Sequence, residues 1–445
     1  MVHALKPPSW GTQDSQRLIE RVARLVSKES PAQVQDRIEF LASENHRLHD
    51  VAGLNLNPAT NILNPRAEAI LASGLSSRAS LGHPGDKYET GLDAIEQIEI
   101  TTAELACEVF GSQYAEFRIA SGALANLYGF MATTQPGDTI IAPPATIGGH
   151  VTHHKAGAAG LYGLKTIAAP IDAHRFTVDV DALRKMAHDV KPKLITVGGS
   201  LNLFEHPVSA VRDIADEVGA KVMFDAAHQC GLIAGCVWSA PLEHGAHVMT
   251  MSTYKSLGGP AGGLLVTNDD EIAEKVDAIA YPGLTANFDA AKTAALGITL
   301  ADWKAVGSHY ARMMVDTAHV LASFLHELGV SVYAADRGFT RSHQFAILAA
   351  PYGGGQTAAK KLAKSGLLAC GIGLPVDEVS GDLPGLRIGT PELVRIGMKE
   401  NDMPTLAQFI RRGLDPHENP DDVAQEIKAW RSQFSGVHYT VDLPH

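Results

Sequence analysis

The sequence predicts an α/β protein that has a large domain on a mostly parallel sheet and a smaller C-terminal α+β domain. Apolar runs within 191–200 and 221–225 are continuous rather than alternating, which is typical of strands covered on both faces of a parallel sheet. A helical segment at 211–219 separates them and gives the order strand, helix, strand. A helical stretch from Leu300 to Leu328 then leads to strands at 330–333, 345–349 and 386–388 and a helix near 357–364.

Length and composition indicate a globular protein and exclude several classes of partner. The chain has 445 residues, 45% of them hydrophobic, which supports large buried cores. A net charge of -12 argues against nucleic acid or an anionic membrane surface, because both require clustered Lys and Arg. The four cysteines show no metal-type pairing, and the amino terminus lacks the apolar core of a secretion signal. We therefore expect a cytoplasmic protein that binds neither nucleic acid nor membrane.

The chain is expected to divide into an N-terminal helical arm (1–52), a large domain (53–297) and a small domain (298–445). In the arm, apolar residues at helical spacing predict one helix within 11–28. A second helix should begin at Ser30-Pro31, where Gln33 completes a capping-box pattern. Such an arm has no core of its own, so we expect it to pack on another subunit or on the large domain.

A helix with a glycine stop is predicted for Asp93 to Gly111, and a second helix begins in a run of small residues further on. Ser121, Gly122 and Ala123 stand at the start of that second helix. Backbone amides and a hydroxyl at a helix amino terminus bind anions, so these three residues are candidate phosphate ligands. A plain capped helix is the alternative.

Three histidines, His150, His153 and His154, share one helical face after Gly148-Gly149. No acidic or cysteine partner lies near them in the sequence, so we do not expect a metal site there.

The strand Lys221 to Asp225 ends on an acid, and His228 follows three residues later. A carboxylate at the carboxyl end of a strand suits pairing with the pyridinium nitrogen of pyridoxal phosphate. A strand-terminal Asp that caps the next helix is the alternative interpretation.

A second candidate cofactor segment is Val248 to Gly263, where an apolar run is followed by Ser252-Thr253-Tyr254-Lys255 and then by glycines and a proline. Such a strand end would present the Lys255 amine to a cofactor, which makes it the candidate Schiff-base lysine. A lysine in a turn is ordinarily a solvated residue, and the combination with Asp225 is what favours the cofactor site.

The final segment of interest is Leu386-Arg387-Ile388-Gly389-Thr390-Pro391-Glu392. A strand-borne arginine offers two parallel donors that suit an amino-acid carboxylate. Arg387 is therefore the candidate carboxylate anchor, with an ordinary ion pair as the alternative.

Several of these segments resemble the serine hydroxymethyltransferase family of fold-type I pyridoxal-phosphate enzymes, whose large domain is similar to that of aspartate aminotransferase. The resemblance rests on Asp225-Ala-Ala-His228, on Ser252 to Pro260, on the segment ending at Ser200 and on Arg387, and it runs from about Gly53 to Met398. It implies a pyridoxal phosphate cofactor and a homodimer or a dimer of dimers with shared active sites. The implied cofactor ligands are Ser121, Gly122, Ala123, Ser200, Asp225, His228, Thr253, Tyr254 and Lys255. The implied catalytic residues are Lys255, Asp225, His228 and His150, and the implied substrate ligands are Arg387, Tyr88 and Glu89.

The family's substrate-binding serine segment is best matched by residues 54–61, because Asn61 stands 22 positions before His83-Pro84-Gly85. The similar string Leu41 to Asn45 stands too far from that turn. In this register the serine is replaced by Ala59.

Further departures lie where the family assists folate-dependent transfer and where it contacts the cofactor. Leu81 replaces a glutamate, Ile147 replaces the ring that stacks on the cofactor, and Tyr254 and Ala261 replace a histidine and an arginine. Leucine cannot move a proton. His150 or an apolar lid at Ile147 would then cover the cofactor, and the base could be His150, His228, Glu89 or a bound water.

We therefore expect an enzyme that makes or breaks the Cα–Cβ bond of a β-hydroxy-α-amino acid, releasing or transferring an aldehyde, with α-methylserine as one possible substrate. The alternative is a serine hydroxymethyltransferase that uses tetrahydrofolate. An aminotransferase, a desulfurase using Cys370, or a non-catalytic cofactor-binding protein is less favoured, because Lys255, Asp225 and Arg387 are all present.

Overall fold

The computed structural model describes residues 4–441. In chain order, the helices are α1 (Gln13–Val26), α2 (Pro31–His46), α3 (Pro65–Leu71), α4 (Asp93–Phe110), α5 (Gly122–Thr133), α6 (Ala158–Leu161), α7 (Val180–Val190), α8 (Val208–Val218), α9 (Cys230–Ala234), α10 (Asp270–Ala278), α11 (Ala290–Glu327), α12 (Gly355–Lys364), α13 (Pro391–Arg395), α14 (Met403–Leu414) and α15 (Pro420–Arg431). The strands are β1 (Leu54–Asn55), β2 (Gly82–His83), β3 (Asp86–Lys87), β4 (Tyr114–Ile119), β5 (Thr139–Ala142), β6 (Lys165–Ala168), β7 (Ile171–Asp172), β8 (Thr177–Val178), β9 (Leu194–Gly198), β10 (Lys221–Asp225), β11 (Val248–Ser252), β12 (Gly263–Thr267), β13 (Gln344–Leu348), β14 (Leu367–Leu368), β15 (Cys370–Ile372) and β16 (Gly385–Gly389).

Within the described residues, the main sheet has seven strands in the order β4-β12-β11-β10-β9-β5-β6. The strands from β11 to β6 run parallel, and β12 is antiparallel to both of its neighbours. Every residue of β9, β11 and β12 is buried, as continuous apolar runs predict. The predicted α/β fold class with a mostly parallel large sheet is confirmed.

A second sheet contains β13, β16 and β15, all antiparallel, and it belongs to a second hydrophobic core. The long helix α11 contributes buried side chains to both cores, such as Leu300 to the first and Leu321 to the second. The short strand β1 pairs with β14, so Leu54 and Leu56 also belong to the second core. The boundary expected at 297/298 falls inside α11, and the division into domains stays a prediction.

The N-terminal arm forms the two predicted helices, and Ser30 and Gln33 make the predicted capping box. Neither α1 nor α2 buries a residue. The apolar side chains of α1 are exposed, including Leu18 (51%) and Val22 (45%).

Two predicted elements differ from the structure. The strand expected at 330–333 is only an isolated bridge between Val332 and Ile347, because Ala334 adopts a left-handed conformation (φ +61°) that ends the extended segment. The connecting helix begins at Ala290 rather than Leu300, because Asp289 caps it by accepting from the amides of Ala291 and Lys292. Among residues 4–441, none of the helices has the length and apolar character that crossing a membrane requires.

Candidate active site

The candidate site lies at the carboxyl edge of three neighbouring parallel strands. Strands β9, β10 and β11 are adjacent and parallel, so their last residues meet at one edge of the sheet. Ser200 follows β9, Asp225 ends β10, and Lys255 follows β11 by three residues. Ligand sites of open α/β sheets form at this edge.

Lys255 is a buried amine with only 8% of its surface exposed. Its Nζ lies 3.2 Å from Nε2 of His228, and its backbone carbonyl accepts from Nδ2 of Asn61 at 3.1 Å. Burial lowers the pKa of Lys255 to about 8, and the Arg387 charge lowers it further against the opposing effect of Asp225. Lys255 is therefore mostly charged at pH 7, but a larger fraction of its amine is neutral and nucleophilic than in an ordinary lysine.

Asp225 is a buried carboxylate that is held ionised by its donors. Oδ2 accepts from Nε2 of His153 at 2.8 Å and from Nδ2 of Asn126 at 3.0 Å, while Oδ1 accepts from the amide of Ala227 at 3.0 Å. Burial by itself would raise the pKa of Asp225, but the hydrogen bond and charge of His153 outweigh it and lower the pKa below its ordinary value.

His228 lies between two cationic side chains and is neutral. Its Nε2 is 3.2 Å from Nζ of Lys255 and 3.3 Å from Nη1 of Arg387, and both of these groups can only donate when charged. Nε2 is therefore the acceptor, which leaves the proton on Nδ1. Burial, followed by the charges of Lys255 and Arg387, lowers the pKa of His228 well below its ordinary value.

Arg387 reaches from β16 of the second sheet to the edge of the first sheet. Nη1 donates to the carbonyl of Ser200 at 2.6 Å, and Nη2 donates to Sγ of Cys370 at 3.2 Å. The Nε donor of Arg387 and Nδ1 of His228 are buried and have no partner in the described chain. Unpaired buried donors are costly, so these atoms indicate a place for an anionic or polar ligand.

The amino terminus of α5 is packed directly against the end of β11. A Cβ built on Gly122 would lie 2.0 Å from Oγ of Ser252, so only glycine permits this approach. Ser121 caps the helix by accepting from the amide of Leu124, and the amides of Gly122 and Ala123 precede any helical acceptor. These amides are free to bind an anion near Lys255.

These groups fit pyridoxal phosphate. A buried carboxylate, a buried amine of lowered pKa and a helix amino terminus match the pyridinium nitrogen, aldehyde and phosphate of the cofactor. Of the other predicted ligands, Thr253 is buried and donates to the carbonyl of Pro260, whereas Tyr254 is 37% exposed. His150 is partly buried, and burial lowers its pKa. The charge of Asp225 opposes this shift, whereas the charges of Lys255 and Arg387 add to it.

The predicted substrate ligands Tyr88 and Glu89 differ from this cluster in their surroundings. Tyr88 is 84% exposed, and the carboxylate of Glu89 accepts from the amide of Leu81 at 2.9 Å. Within residues 4–441, neither forms a hydrogen bond or ion pair with Lys255 or Arg387. Their roles as substrate ligands stay predictions.

Sequence reasoning missed several residues that the fold brings to the site. His153 was considered only for a metal site, yet it bonds Asp225 through Nε2 and Thr196 through Nδ1. Asn126 follows the predicted phosphate residues on α5, and its helical spacing from Gly122 was the available signal. His343, fully buried with an unpaired Nε2, had no local signal at all.

The chain matches the family model "Serine hydroxymethyltransferase" over residues 21–410. It is 60% identical over 441 residues to an alpha-methylserine aldolase of Variovorax paradoxus, covering 99% of this chain and 100% of the relative. It is 36% identical to a serine hydroxymethyltransferase of Sulfolobus acidocaldarius, covering 92% of this chain and 95% of the relative.

Among solved structures, the L-threonine transaldolase of Pseudomonas fluorescens superposes with a TM-score of 0.83 at 23% identity, covering 92% of this chain and 94% of that one. That likeness concerns the fold. The family-model match and the full-length relatives, together with the lysine and aspartate at the sheet edge, establish that the chain belongs to the serine hydroxymethyltransferase family.

Proposed function

We propose that this protein is a pyridoxal-phosphate-dependent aldolase that cleaves or forms the Cα–Cβ bond of a β-hydroxy-α-amino acid, with α-methylserine as its substrate. The buried row of Lys255, His228 and Arg387 beside Asp225 carries the proposal. Relatives named alpha-methylserine aldolase, 60% identical over nearly the whole chain, support the choice of substrate.

Pyridoxal phosphate, when bound, withdraws electrons from the α-carbon of an amino acid. In our proposal Lys255 binds the aldehyde carbon and Asp225 keeps a proton on the pyridine nitrogen. Ser121, Gly122 and Ala123 bind the phosphate. Ser200, His228, Thr253 and Tyr254 contact the rest of the cofactor.

Arg387 binds the substrate carboxylate in this proposal. Its guanidinium is fixed by the carbonyl of Ser200 and by Cys370, and its unpaired Nε donor is available to a carboxylate oxygen. A guanidinium held in this way presents its free donor in a fixed direction and so orients the amino acid.

The proton of the β-hydroxyl group must leave as the bond breaks, and the candidate bases differ in what their acceptor atoms already contact. Glu89 accepts from Leu81, Nδ1 of His150 accepts from the amide of Thr152, and Nε2 of His228 faces Lys255 and Arg387. We therefore assign this proton to a bound water and give His150 and His228 the task of holding neighbouring oxygen atoms by N–H donation.

The products from α-methylserine are alanine and formaldehyde, since the hydroxymethyl group leaves as the aldehyde. Tetrahydrofolate is not required in this proposal, because Leu81 replaces the acid that the family uses near the folate. Folate-dependent serine hydroxymethyl transfer is the second candidate, supported by relatives of that name at 36–37% identity.

The test is an assay of released aldehyde with α-methylserine, serine and threonine, each with and without tetrahydrofolate. We expect formaldehyde from α-methylserine without folate, and no product with Lys255→Ala. Formaldehyde transfer from serine alone, strictly dependent on folate, would reverse the two candidates.

A homodimer with shared active sites is also part of this proposal. The exposed apolar face of α1 and the exposed Tyr88 both support a second subunit.

Four free cysteines support a reducing, cytoplasmic location.

A further inference from the structure

We infer that Cys370 is a positioning residue: its thiol sets the orientation of the Arg387 guanidinium and thereby the affinity for the substrate carboxylate. This inference rests on the proposed function only in taking Arg387 as the carboxylate anchor. It concerns a residue that does not itself touch the reacting atoms.

The geometry gives the thiol both a donor and an acceptor role. Sγ of Cys370 accepts from Nη2 of Arg387 at 3.2 Å, and the thiol donates to Oδ1 of Asn57 at 3.5 Å. Cys370 and Arg387 lie directly opposite each other on β15 and β16, so the sheet fixes their spacing. The thiol is therefore the fixed contact of one terminal nitrogen of the guanidinium.

Asn57 is in turn held by its own loop. Its Oδ1 also accepts from the amide of Ala59 at 3.1 Å, and its amide donates to Oδ1 of Asn55 at 3.1 Å. This loop carries Ala59 in place of the serine that the family uses for the substrate. A contact chain thus runs from the loop through Cys370 to Arg387.

The arrangement leaves one side of the guanidinium for the ligand. Nη1 is engaged by the carbonyl of Ser200 and by His228, and Nη2 is engaged by Cys370. The buried Nε has no partner in the described residues, and Arg387 is only 7% exposed. Without the thiol contact, Nη1 stays bonded to Ser200 and His228 but Nη2 loses its fixed partner, so the direction in which Nε points at a carboxylate is less well defined.

The first experiment compares Cys370→Ala, Cys370→Ser and Cys236→Ser holoenzymes in steady-state kinetics with α-methylserine. Loss of the hydrogen bond from the guanidinium to the weakly accepting thiol should raise the KM of Cys370→Ala about fivefold while kcat changes less than about twofold. Cys370→Ser, which keeps a donor and an acceptor, should restore most of the affinity. Cys236 is exposed and serves as the matched control. An unchanged KM, or a fall in kcat alone, would overturn the inference.

The second experiment does not depend on turnover. Wild-type holoenzyme is alkylated with iodoacetamide, and the modification of each cysteine is followed by mass spectrometry. Alanine or α-methylserine should slow the alkylation of Cys370 at least about threefold, whereas 2-aminoethanol, which lacks a carboxylate, should not. Cys236 should react equally in every sample.

The two experiments separate the inference from the proposed function. If no β-hydroxy amino acid yields an aldehyde but carboxylates still protect Cys370, the function is wrong and the inference stands. If aldehyde forms but Cys370 reacts at one rate with and without carboxylates, the inference is wrong.

Discussion

At the scale of single residues, the site depends on keeping the negative charge of Asp225 buried at the carboxyl edge of the main sheet. Asp225 is 1% exposed and would lose its charge through burial alone, yet three donors surround it. His153 is oriented for this role because its other nitrogen bonds the hydroxyl of Thr196. A hydrogen bond at the second ring nitrogen fixes the tautomer and orientation of a histidine, and thereby the position of the carboxylate that it bonds.

Replacing His153 with Ala should raise the pKa of Asp225 and weaken cofactor binding by about tenfold, because the carboxylate loses its charge-assisted donor. Asp225→Asn should lower the rate of aldehyde release by more than about a hundredfold. Fluorescence titration with pyridoxal phosphate and the aldehyde assay measure the two effects. His154→Gln is the control, because His154 bonds the carbonyl of Pro143 instead. Unchanged cofactor affinity in His153→Ala would contradict this role.

Glu392 predicts a pH dependence of stability. Burial raises the pKa of Glu392 to about 7, against a hydrogen bond from Thr60 that lowers it. Between about pH 4.3, the ordinary pKa of a glutamate, and about pH 7, the Glu392 carboxyl therefore keeps its proton in the folded chain and has lost it in the unfolded chain. Stability contributed by this group is present below that window and falls as pH rises through it.

Glu392→Gln should accordingly raise the free energy of unfolding by about 2 kcal/mol at pH 8 and by little at pH 5. Urea unfolding at the two pH values measures the difference. The exposed Glu400→Gln is the control. An equal effect of Glu392→Gln at both pH values would show that this carboxyl does not titrate in the window.

At the scale of elements, the site depends on how closely the first turn of α5 approaches β11. The helix and the strand meet where Gly122 contacts Ser252. Ser252 lies three residues before Lys255 in the sequence. This contact sets the distance between the candidate phosphate site and the lysine. Strand β10 then places Asp225 beside them through its parallel register with β11.

Gly122→Ala should destabilise the protein by about 1–3 kcal/mol, because the added methyl group overlaps Oγ of the buried Ser252. The usual gain of alanine over glycine in a helix is at most about 1 kcal/mol and does not offset this overlap. Thermal unfolding and the affinity for pyridoxal phosphate should both decrease. Ala123→Ser, whose side chain is exposed, should unfold at the wild-type temperature. A Gly122→Ala protein with wild-type stability would show that α5 can move away from β11.

At the scale of the whole molecule, α11 joins the two cores, and Arg387 reaches from the second core to the site at the edge of the first. The candidate site is therefore complete only when the second sheet, which carries Arg387, packs beside the first sheet, which carries Asp225 and Lys255. The N-terminal arm is outside both cores, since α1 and α2 bury no residue. Its apolar face is available to a second subunit.

The double substitution Leu18→Asp and Val22→Asp should dissociate the proposed dimer, because it places charges on the exposed apolar face of α1. Sedimentation velocity should show a dimer for the wild type and a monomer for the variant. Thermal unfolding of the cores should change little. Arg21→Ser on the same helix is the control and should leave the dimer intact. A variant that still sediments as a dimer would remove α1 from the interface.

The sequence by itself determined the fold class, the family and the class of enzyme. The continuous apolar strands predicted the parallel sheet, and Asp225 and Lys255 predicted the cofactor, because each signal lies within a few consecutive residues. These predictions are confirmed by the family match and the full-length relatives. Helix capping at Ser30 and the glycine stop at Gly111 were predictable for the same reason.

Only the tertiary structure decided which distant residues meet. His153 lies 72 positions from Asp225, and Cys370 lies 313 positions from Asn57, yet each pair is in hydrogen-bond contact. It also showed that Tyr88 is exposed and that the Glu89 carboxylate accepts from the amide of Leu81. Periodicity and capping act over a few residues, whereas these contacts arise from the order of the strands in the main sheet and from the approach of the loop after β1 to β15, which no local pattern encodes.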